Sequence, residues 1–161
     1  MSGPVHDLEE ALEKVAAYCA YQERSQRQVR EKLRSLGLQP EAVDELTVRL
    51  IQDGFLSEER FARAYARGKF RMKGWGRHKI RRGLRYHQIG DYLQKKALKE
   101  IDPAEYEATL QRLLEKYQPP KNASALAQRR ARHRAFQAAY RRGFEADLIQ
   151  DAWEVVVAEN A

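Results

Sequence analysis

Eleven cationic side chains and no carboxylate lie between Arg60 and Arg85, a stretch of 26 residues. The cations are Arg60, Arg63, Arg67, Lys69, Arg71, Lys73, Arg77, Lys79, Arg81, Arg82 and Arg85. Apolar residues recur among them at helical spacing, which indicates folded amphipathic helices rather than a low-complexity tail. These are Phe61, Tyr65, Met72, Ile80 and Leu84. So much uncompensated charge in a folded segment favours a polyanion as the partner.

The net charge of +7 is distributed unevenly along the chain. Residues 58–99 hold 14 cations against 3 anions, and residues 129–142 hold 6 cations and no anion. Both ends are acidic, because residues 1–57 carry a net −3 and residues 143–161 a net −5. A surface that served solubility alone would mix its signs more evenly.

The elements that must position these cations are predicted to be helices, because the apolar period is 3 to 4 almost throughout. Ser25 with Gln28 three residues later predicts a capping box, and Asp102-Pro103 predicts another helix start. Nine helices follow from such signals. They cover about residues 6–23, 26–36, 40–53, 58–72, 77–87, 90–101, 103–117, 125–142 and 145–158.

The nine helices fall into three triplets, which predicts an all-α fold of three tandem three-helix repeats. The repeats span residues 6–56, 57–101 and 102–158, the middle one is basic, and a proline-rich linker at 118–124 lies inside the third. The second helices of the first and third repeats end at Gly37 and Gly143. In the middle repeat Gln88 takes that position.

Helical wheels predict which of the cations face solvent. On the fourth helix the arginines lie in one narrow stripe, with no acid at i+3 or i+4 expected to relieve their repulsion. Six to eight phosphate contacts would give a log–log salt slope of about −5 to −7. The candidate binding residues are Arg60, Arg63, Arg67, Arg71, Lys73, Trp75, Arg77, Lys79, Arg81, Arg82, Arg85 and Tyr86.

Two aromatic residues and a second basic cluster leave alternatives open. Trp75, between Gly74 and Gly76, either packs between repeats, the preferred interpretation, or stacks on a base; Tyr86 is the more exposed aromatic candidate. The second cluster either extends the basic surface or pairs with the acids Glu145, Asp147, Asp151 and Glu154 of the last helix. It comprises Arg129, Arg130, Arg132, Arg134, Arg141 and Arg142.

Catalytic and metal-binding patterns find little support in the sequence. The four histidines are scattered, no phosphate-binding glycine loop ends in Gly-Lys-Ser/Thr, and Cys19 reads as a small core residue. We expect no enzyme activity, cofactor or metal. No apolar run approaches the roughly 18 residues of a membrane span and no export signal is evident, which predicts an intracellular, cytoplasmic protein.

Two stretches resemble the hallmark of the bacterial RecX regulatory proteins. They are Gly54-Phe55-Leu56-Ser57-Glu58-x-Arg60-Phe61-Ala62 and Gly74-Trp75-Gly76-Arg77-x2-Ile80-x3-Leu84, and the similarity extends over about residues 10–156. Ser57 stands where the family pattern has Asp, Arg77 where it has Pro, and Gly83 where it has Glu. The last two changes make this chain more basic than the pattern.

The resemblance implies an elongated, curved array of three-helix repeats that regulates the RecA recombinase. Such proteins are expected to bind the filament of RecA on single-stranded DNA as monomers, with double-stranded DNA as a further candidate. They promote disassembly or block extension, and so modulate strand exchange, coprotease activity, recombination, DNA repair and the SOS response. Two alternatives stay open, a stand-alone helix-turn-helix-like module that binds DNA or RNA, and a scaffold for an acidic protein.

Overall fold

A computed structural model describes residues 7–160, and every regular element among them is an α-helix. The helices are α1 (Leu8–Tyr21), α2 (Gln26–Ser35), α3 (Pro40–Gln52), α4 (Glu58–Lys73), α5 (Arg77–Tyr86), α6 (Asp91–Leu98), α7 (Pro103–Glu115), α8 (Ala125–Arg141) and α9 (Ala146–Glu159). The predicted all-α class and tandem helical order are confirmed. The predicted start of the first helix at residue 6 lies outside the described residues.

Local sequence signals account for the helix ends. Ser25 accepts the Gln28 backbone N–H at 3.2 Å while the Gln28 side chain accepts the Ser25 N–H at 2.9 Å, so the capping box forms as predicted. Ser57 caps α4 through the Arg60 N–H, and Asp102 caps α7 through the Glu105 N–H. These starts depend only on residues three positions apart, which is why the sequence reveals them.

A left-handed residue ends the second helix of each predicted repeat. Gly37 and Gly143 have φ of 88° and 94°, and Gln88 has φ of 61°. Among residues 7–160, Gln88 is the only non-glycine residue with positive φ. Glycine adopts this conformation readily whereas other residues strain in it. Gln88 therefore takes the same turn as its glycine counterparts, which supports the internal repeat.

The chain divides into two compact units, and α4 and α5 contribute to both. Unit 1 runs to Tyr65 and adds Leu84–Ala97, whereas unit 2 comprises Ala66–Gly83 and the chain from Leu98 onward. The repeat boundaries predicted at residues 56/57 and 101/102 stay a prediction, because the helices of the middle repeat are shared by the two units.

The core of unit 1 is built by α1, α2 and α3. Its buried residues include Ala11, Val15, Cys19, Val29, Leu33, Leu38, Val43, Leu46, Leu50 and Leu56. Cys19 packs there as the sequence predicts, and burial raises the pKa of its thiol. The sequence pattern also predicts Leu8 on α1 and Ile51 on α3 to face the core, but both are more than 40% exposed.

The core of unit 2 forms where α7 packs on α8 and α9. Its buried residues include Phe70, Ile80, Tyr106, Leu110, Leu114, Phe144, Ile149, Ala152, Trp153 and Val156. Met72 follows the same periodicity as the apolar residues of α4, yet it is 84% exposed. It lies in the last turn of α4, beyond Phe70, whose ring packs 5.8 Å from that of Tyr106.

Candidate nucleic-acid interface

The first two arginines of the α4 stripe are paired with carboxylates inside unit 1. Arg60 contacts Glu23 at 3.0 Å and donates to the Gly54 carbonyl oxygen at 2.7 Å. Arg63 lies 3.4 Å from Glu59, four residues earlier on the same helix. The expectation that no acid four residues away relieves the stripe is therefore wrong for Arg63, and Arg60 is paired with an acid from elsewhere in the chain. Glu59 at the start of α4 and Glu23 before α2 supply the missing charge.

Glu59 serves two cations at once. It also accepts a hydrogen bond from Lys96 at 3.0 Å. The bond to Lys96 lowers the pKa of Glu59 and raises that of Lys96, as expected for a pair that stabilises both charged forms. This part of the basic segment is a small ion-pair network on the surface of unit 1.

In unit 2 the stripe changes from paired to unpaired along its length. Arg67 lies 3.0 Å from Glu100, whereas Arg71 and Lys73 are exposed and form no ion pair with any residue of 7–160. An exposed ion pair contributes about 0–1 kcal/mol to stability. A paired arginine loses this free energy when it leaves its carboxylate to bind a phosphate, whereas an unpaired arginine loses nothing. The unpaired end of α4 is thus better suited to meet a polyanion than its beginning.

Trp75 is half-buried in the turn after α4, between two lysines. The ammonium nitrogens of Lys69 and Lys79 lie 5.0 Å and 4.6 Å from its ring centroid, within the range of cation–π contacts. Its backbone N–H donates to the Lys69 carbonyl at 3.2 Å. The indole ring therefore forms cation–π contacts with two cations of the basic segment.

Arg77 has its guanidinium engaged inside unit 2. It lies 2.8 Å from Glu145 and stacks 3.9 Å from the centroid of the Tyr106 ring. The Tyr106 hydroxyl accepts the Arg77 backbone N–H at 2.9 Å and donates to Glu145. Of the predicted binding residues, Arg77 is therefore among the least available to an outside anion.

The pKa values of this cluster follow from its burial and hydrogen bonds. Burial alone would raise the pKa of Glu145, but the hydrogen bonds from Tyr106 and Arg77 outweigh it, and the net shift is downward. Burial and the bond to Glu145 raise the pKa of Tyr106 well above its ordinary value. Glu145 is held ionised and Tyr106 neutral, which fits an internal ion pair.

Backbone contacts fasten the start of α5 to the end of α8 in unit 2. The Gly76 N–H donates to the Arg142 carbonyl at 2.7 Å, and the His78 N–H donates to the Gly143 carbonyl at 2.9 Å. A Cβ built on Gly76 would lie 2.5 Å from the Gly143 backbone. The two turns touch so closely because both residues lack a side chain.

This docking brings the two basic clusters of unit 2 together. A Cβ on Gly74 would lie 3.0 Å from an Arg142 guanidinium nitrogen, so the arginine reaches across to the turn that carries Trp75. Lys79, in the first turn of α5, lies beside Gly143. Arg142 of the second cluster therefore lies beside the turn that joins the helices of the first cluster.

The remaining predicted residues of α5 differ in accessibility. Arg82 and Arg85 are exposed, and Arg81 is half-buried. Tyr86, in unit 1, is exposed as predicted, but the Arg27 guanidinium lies 4.2 Å from its ring centroid and donates to its carbonyl at 2.9 Å. Sequence reasoning missed Arg27, because 59 residues separate it from Tyr86.

The arginines of the second cluster are all exposed, on α8 and in the turn that follows it. Arg132 bonds to Gln150 on α9 and lies 4.1 Å from the centroid of the Phe136 ring. Within residues 7–160 none of the six arginines forms an ion pair with the carboxylates of α9. The alternative in which the last helix neutralises them is therefore not realised.

The described residues form neither a metal cluster nor a helix of membrane-spanning character. Between residues 7 and 160 no group of three or more His, Cys, Asp or Glu side chains is arranged to hold a metal ion. In that range there is also no helix with the length and apolarity to cross a membrane.

Comparison with known proteins adds to this geometry. Two family models match the chain, "RecX, first three-helix domain" over residues 11–55 and "RecX, second three-helix domain" over residues 57–98, which together exceed half of its length. The chain belongs to the RecX family. The resemblance stated from the Gly54 and Gly74 motifs is thereby confirmed, and both motifs lie within or beside the matched regions.

Individual relatives agree with this membership. Regulatory protein RecX of Prosthecochloris aestuarii is 32% identical over 98 residues, covering 61% of this RecX-family chain and 65% of that protein. Regulatory protein RecX of Bacillus velezensis is 26% identical over 155 residues, 96% of this chain and 58% of that protein. The chain thus spans less than two thirds of the length of these two curated relatives.

Solved structures resemble this RecX-family chain in fold. The crystal structure of RecX from Lactobacillus salivarius matches 93% of this chain and 96% of its own, with a TM-score of 0.79 and 23% identity. A second regulatory protein RecX matches 89% of this chain and 71% of its own, with a TM-score of 0.76 and 22% identity.

Proposed function

We propose that this chain regulates the RecA recombinase by binding the filament that RecA forms on single-stranded DNA. Binding promotes disassembly of the filament or blocks its extension, and so lowers strand exchange and coprotease activity. Membership of a family of regulatory proteins supports the role. The observation that carries the binding mode is the set of exposed cations in unit 2 that have no carboxylate partner among residues 7–160.

The proposed contact surface is centred on two turns of unit 2 that contact each other, residues 74–76 and 142–143. It comprises the exposed cations Arg71 and Lys73 at the end of α4, Arg82 on α5 and Arg142 beside Gly74, together with the half-buried Lys79 on α5. Arg60, Arg63, Arg67 and Arg77 contribute less, because each has a carboxylate within 3.4 Å. On a single strand, phosphate contacts of these five residues contribute about −3.5 to the salt slope.

The alternative of a helix-turn-helix reader is less well supported. In such modules the N-terminal residues of the recognition helix contact base edges in the major groove. At the start of α5 the N–H groups of Gly76, Arg77 and His78 donate to Arg142, Tyr106 and Gly143, so this end of the helix is packed against α7 and the turn after α8. The start of α5 is therefore occupied within unit 2. We propose a regulator without catalytic activity that acts in the cytoplasm as a monomer.

The test adds the purified chain to active RecA filaments on single-stranded DNA and follows ATP hydrolysis and strand exchange. We expect inhibition at near-stoichiometric levels, and a charge-neutralised variant (Arg71→Gln, Lys73→Gln, Arg82→Gln) should lose most of it. A matched triple variant of paired arginines (Arg60→Gln, Arg63→Gln, Arg67→Gln) should keep most of it. No effect of the parent chain would overturn the role, and filament binding insensitive to salt would favour contact with protein alone.

A further inference from the structure

An open groove between α8 and α9 of unit 2 is not used by the proposed contact surface. Its volume is about 580 Å³, within the range of ligand-binding clefts. It is lined by His133, Phe136, Gln137, Tyr140 and Arg141 from α8 and by Ala146, Ile149 and Gln150 from α9. The floor is thus apolar and aromatic, and the rim carries a cation.

The two aromatic rings of the groove lie one helical turn apart on α8. Phe136 is half-buried, with the Trp153 ring 6.4 Å away and the Arg132 guanidinium over its face. Tyr140 is 66% exposed, and no ring or cation among residues 7–160 lies against it. The exposed tyrosines Tyr86 and Tyr92 differ, because Arg27 and Lys96 lie over their rings. Tyr140 therefore offers an open aromatic face.

The charge of α8 selects the kind of partner. The helix carries five arginines, from Arg129 to Arg141, and no carboxylate. None of them is neutralised by an ion pair within the described residues. An open aromatic ring among unpaired cations is the combination by which proteins hold single-stranded nucleic acid, since cations take the phosphates and rings stack on bases. In a duplex the bases are stacked on one another, so their faces are not available to the tyrosine ring.

We propose that the α8–α9 groove of unit 2 is a base-stacking subsite for single-stranded DNA. Tyr140 stacks on one base, Phe136 and Ile149 form the apolar floor beneath it, and Arg141 takes a neighbouring phosphate. The proposal deepens the proposed function, because it assigns part of the filament contact to the DNA strand itself. It predicts that the chain binds single-stranded DNA without RecA.

The decisive measurement is fluorescence anisotropy of a labelled oligothymidylate with the purified chain at low salt. Tyr140→Ala should lower the affinity roughly 5- to 150-fold, the loss expected when one base–aromatic stack is removed. Tyr140→Trp should retain the affinity. Tyr92→Ala is the matched control, since Tyr92 on α6 is similarly exposed, at 73%, but carries Lys96 over its ring. Circular dichroism and melting temperature should be the same for all four proteins.

A second probe locates the base directly. An oligonucleotide with 5-iododeoxyuridine, irradiated in the complex and analysed by mass spectrometry, should crosslink to Tyr140. Absence of any binding by the parent chain would overturn the subsite, as would equal affinity of Tyr140→Ala and parent. If Tyr140→Ala lost RecA inhibition but kept oligonucleotide affinity, the groove would be a protein contact and the subsite would be wrong. If binding depended on Tyr140 but the parent left RecA filaments unaffected, the subsite would stand and the proposed function would fall.

Discussion

Helices α4 and α8 are both rich in arginine, but they hold their charge in different ways. On α4 three of the four stripe arginines have a carboxylate within 3.4 Å, supplied by Glu23, Glu59 and Glu100. On α8 the arginines are exposed, and no residue of 7–160 pairs with them through a carboxylate. The density of cations in the sequence is therefore a poor guide to available charge. Helix α8, which carries the second basic cluster of the sequence, has fewer of its charges neutralised than α4.

The largest expected effect concerns the close contact between Gly143, in the turn after α8, and Lys79 of α5. Gly143→Ala should lower the free energy of unfolding by about 3 kcal/mol or more, because its Cβ would lie 2.5 Å from the Lys79 Cβ and its φ of 94° is strained for alanine. Gly68→Ala on α4 is the matched control. It has open space around its Cβ and should stabilise the chain by about 0.5–1 kcal/mol. Urea denaturation measures both, and equal effects would show that the α5–α8 contact is not tight.

The next effect compares the two helices directly. Replacing Arg129, Arg130, Arg134 and Arg141 by Gln should reduce the log–log salt slope of single-stranded DNA binding by roughly 3, since each phosphate that is no longer neutralised accounts for about 0.7. Replacing Arg60, Arg63 and Arg67 by Gln should change it by less than about 1. Titrations from 50 to 200 mM salt measure the slopes. A larger change from the α4 variant would reverse the comparison.

A third effect tests Arg77, whose ion pair with Glu145 is less exposed than the three ion pairs of the α4 stripe. Because the pKa of Glu145 is lower in the folded chain than in the unfolded one, its stabilisation is present above the unfolded value and is lost as pH falls below it. Glu145→Gln should therefore cost about 1–3 kcal/mol at pH 7 and flatten the loss of stability below pH 5. Thermal melts from pH 7 to pH 3 give both curves. Parallel curves would mean that the Arg77 pair is not a source of stability.

The contrast between α4 and α8 also shows how far sequence reasoning reaches. Helix starts such as Ser25 with Gln28 are predictable, because the groups that cap them are three residues apart. The pairs that neutralise the basic segment are not, since Arg60 and Glu23 are 37 residues apart and Arg77 and Glu145 are 68 apart. Long-range packing decides those contacts.

The aromatic residues of the candidate surfaces illustrate the same limit. The sequence places Trp75 in a glycine turn, but the two lysines flanking its ring belong to α4 and α5, which only the folded chain brings together. Tyr140 belongs to no recognisable sequence motif. Its signal is its place in an arginine-rich helix without carboxylates, and its open face follows from the way α9 packs on α8.

The smallest expected effect removes a carboxylate from α4 and so makes this helix more like α8. Glu59→Gln leaves Arg63 and Lys96 without their acid, at a cost to stability within about 1 kcal/mol because the pairs are exposed. Two cations then become available to phosphate, and the salt slope should steepen by up to about 1.4. Glu13→Gln on α1 is the control, an exposed acid with no ion pair among residues 7–160, and should change neither quantity. An unchanged slope in Glu59→Gln would mean that the first turns of α4 lie outside the DNA contact, paired or not, and would leave α8 and the end of α4 with its following turn as the basic surface that matters.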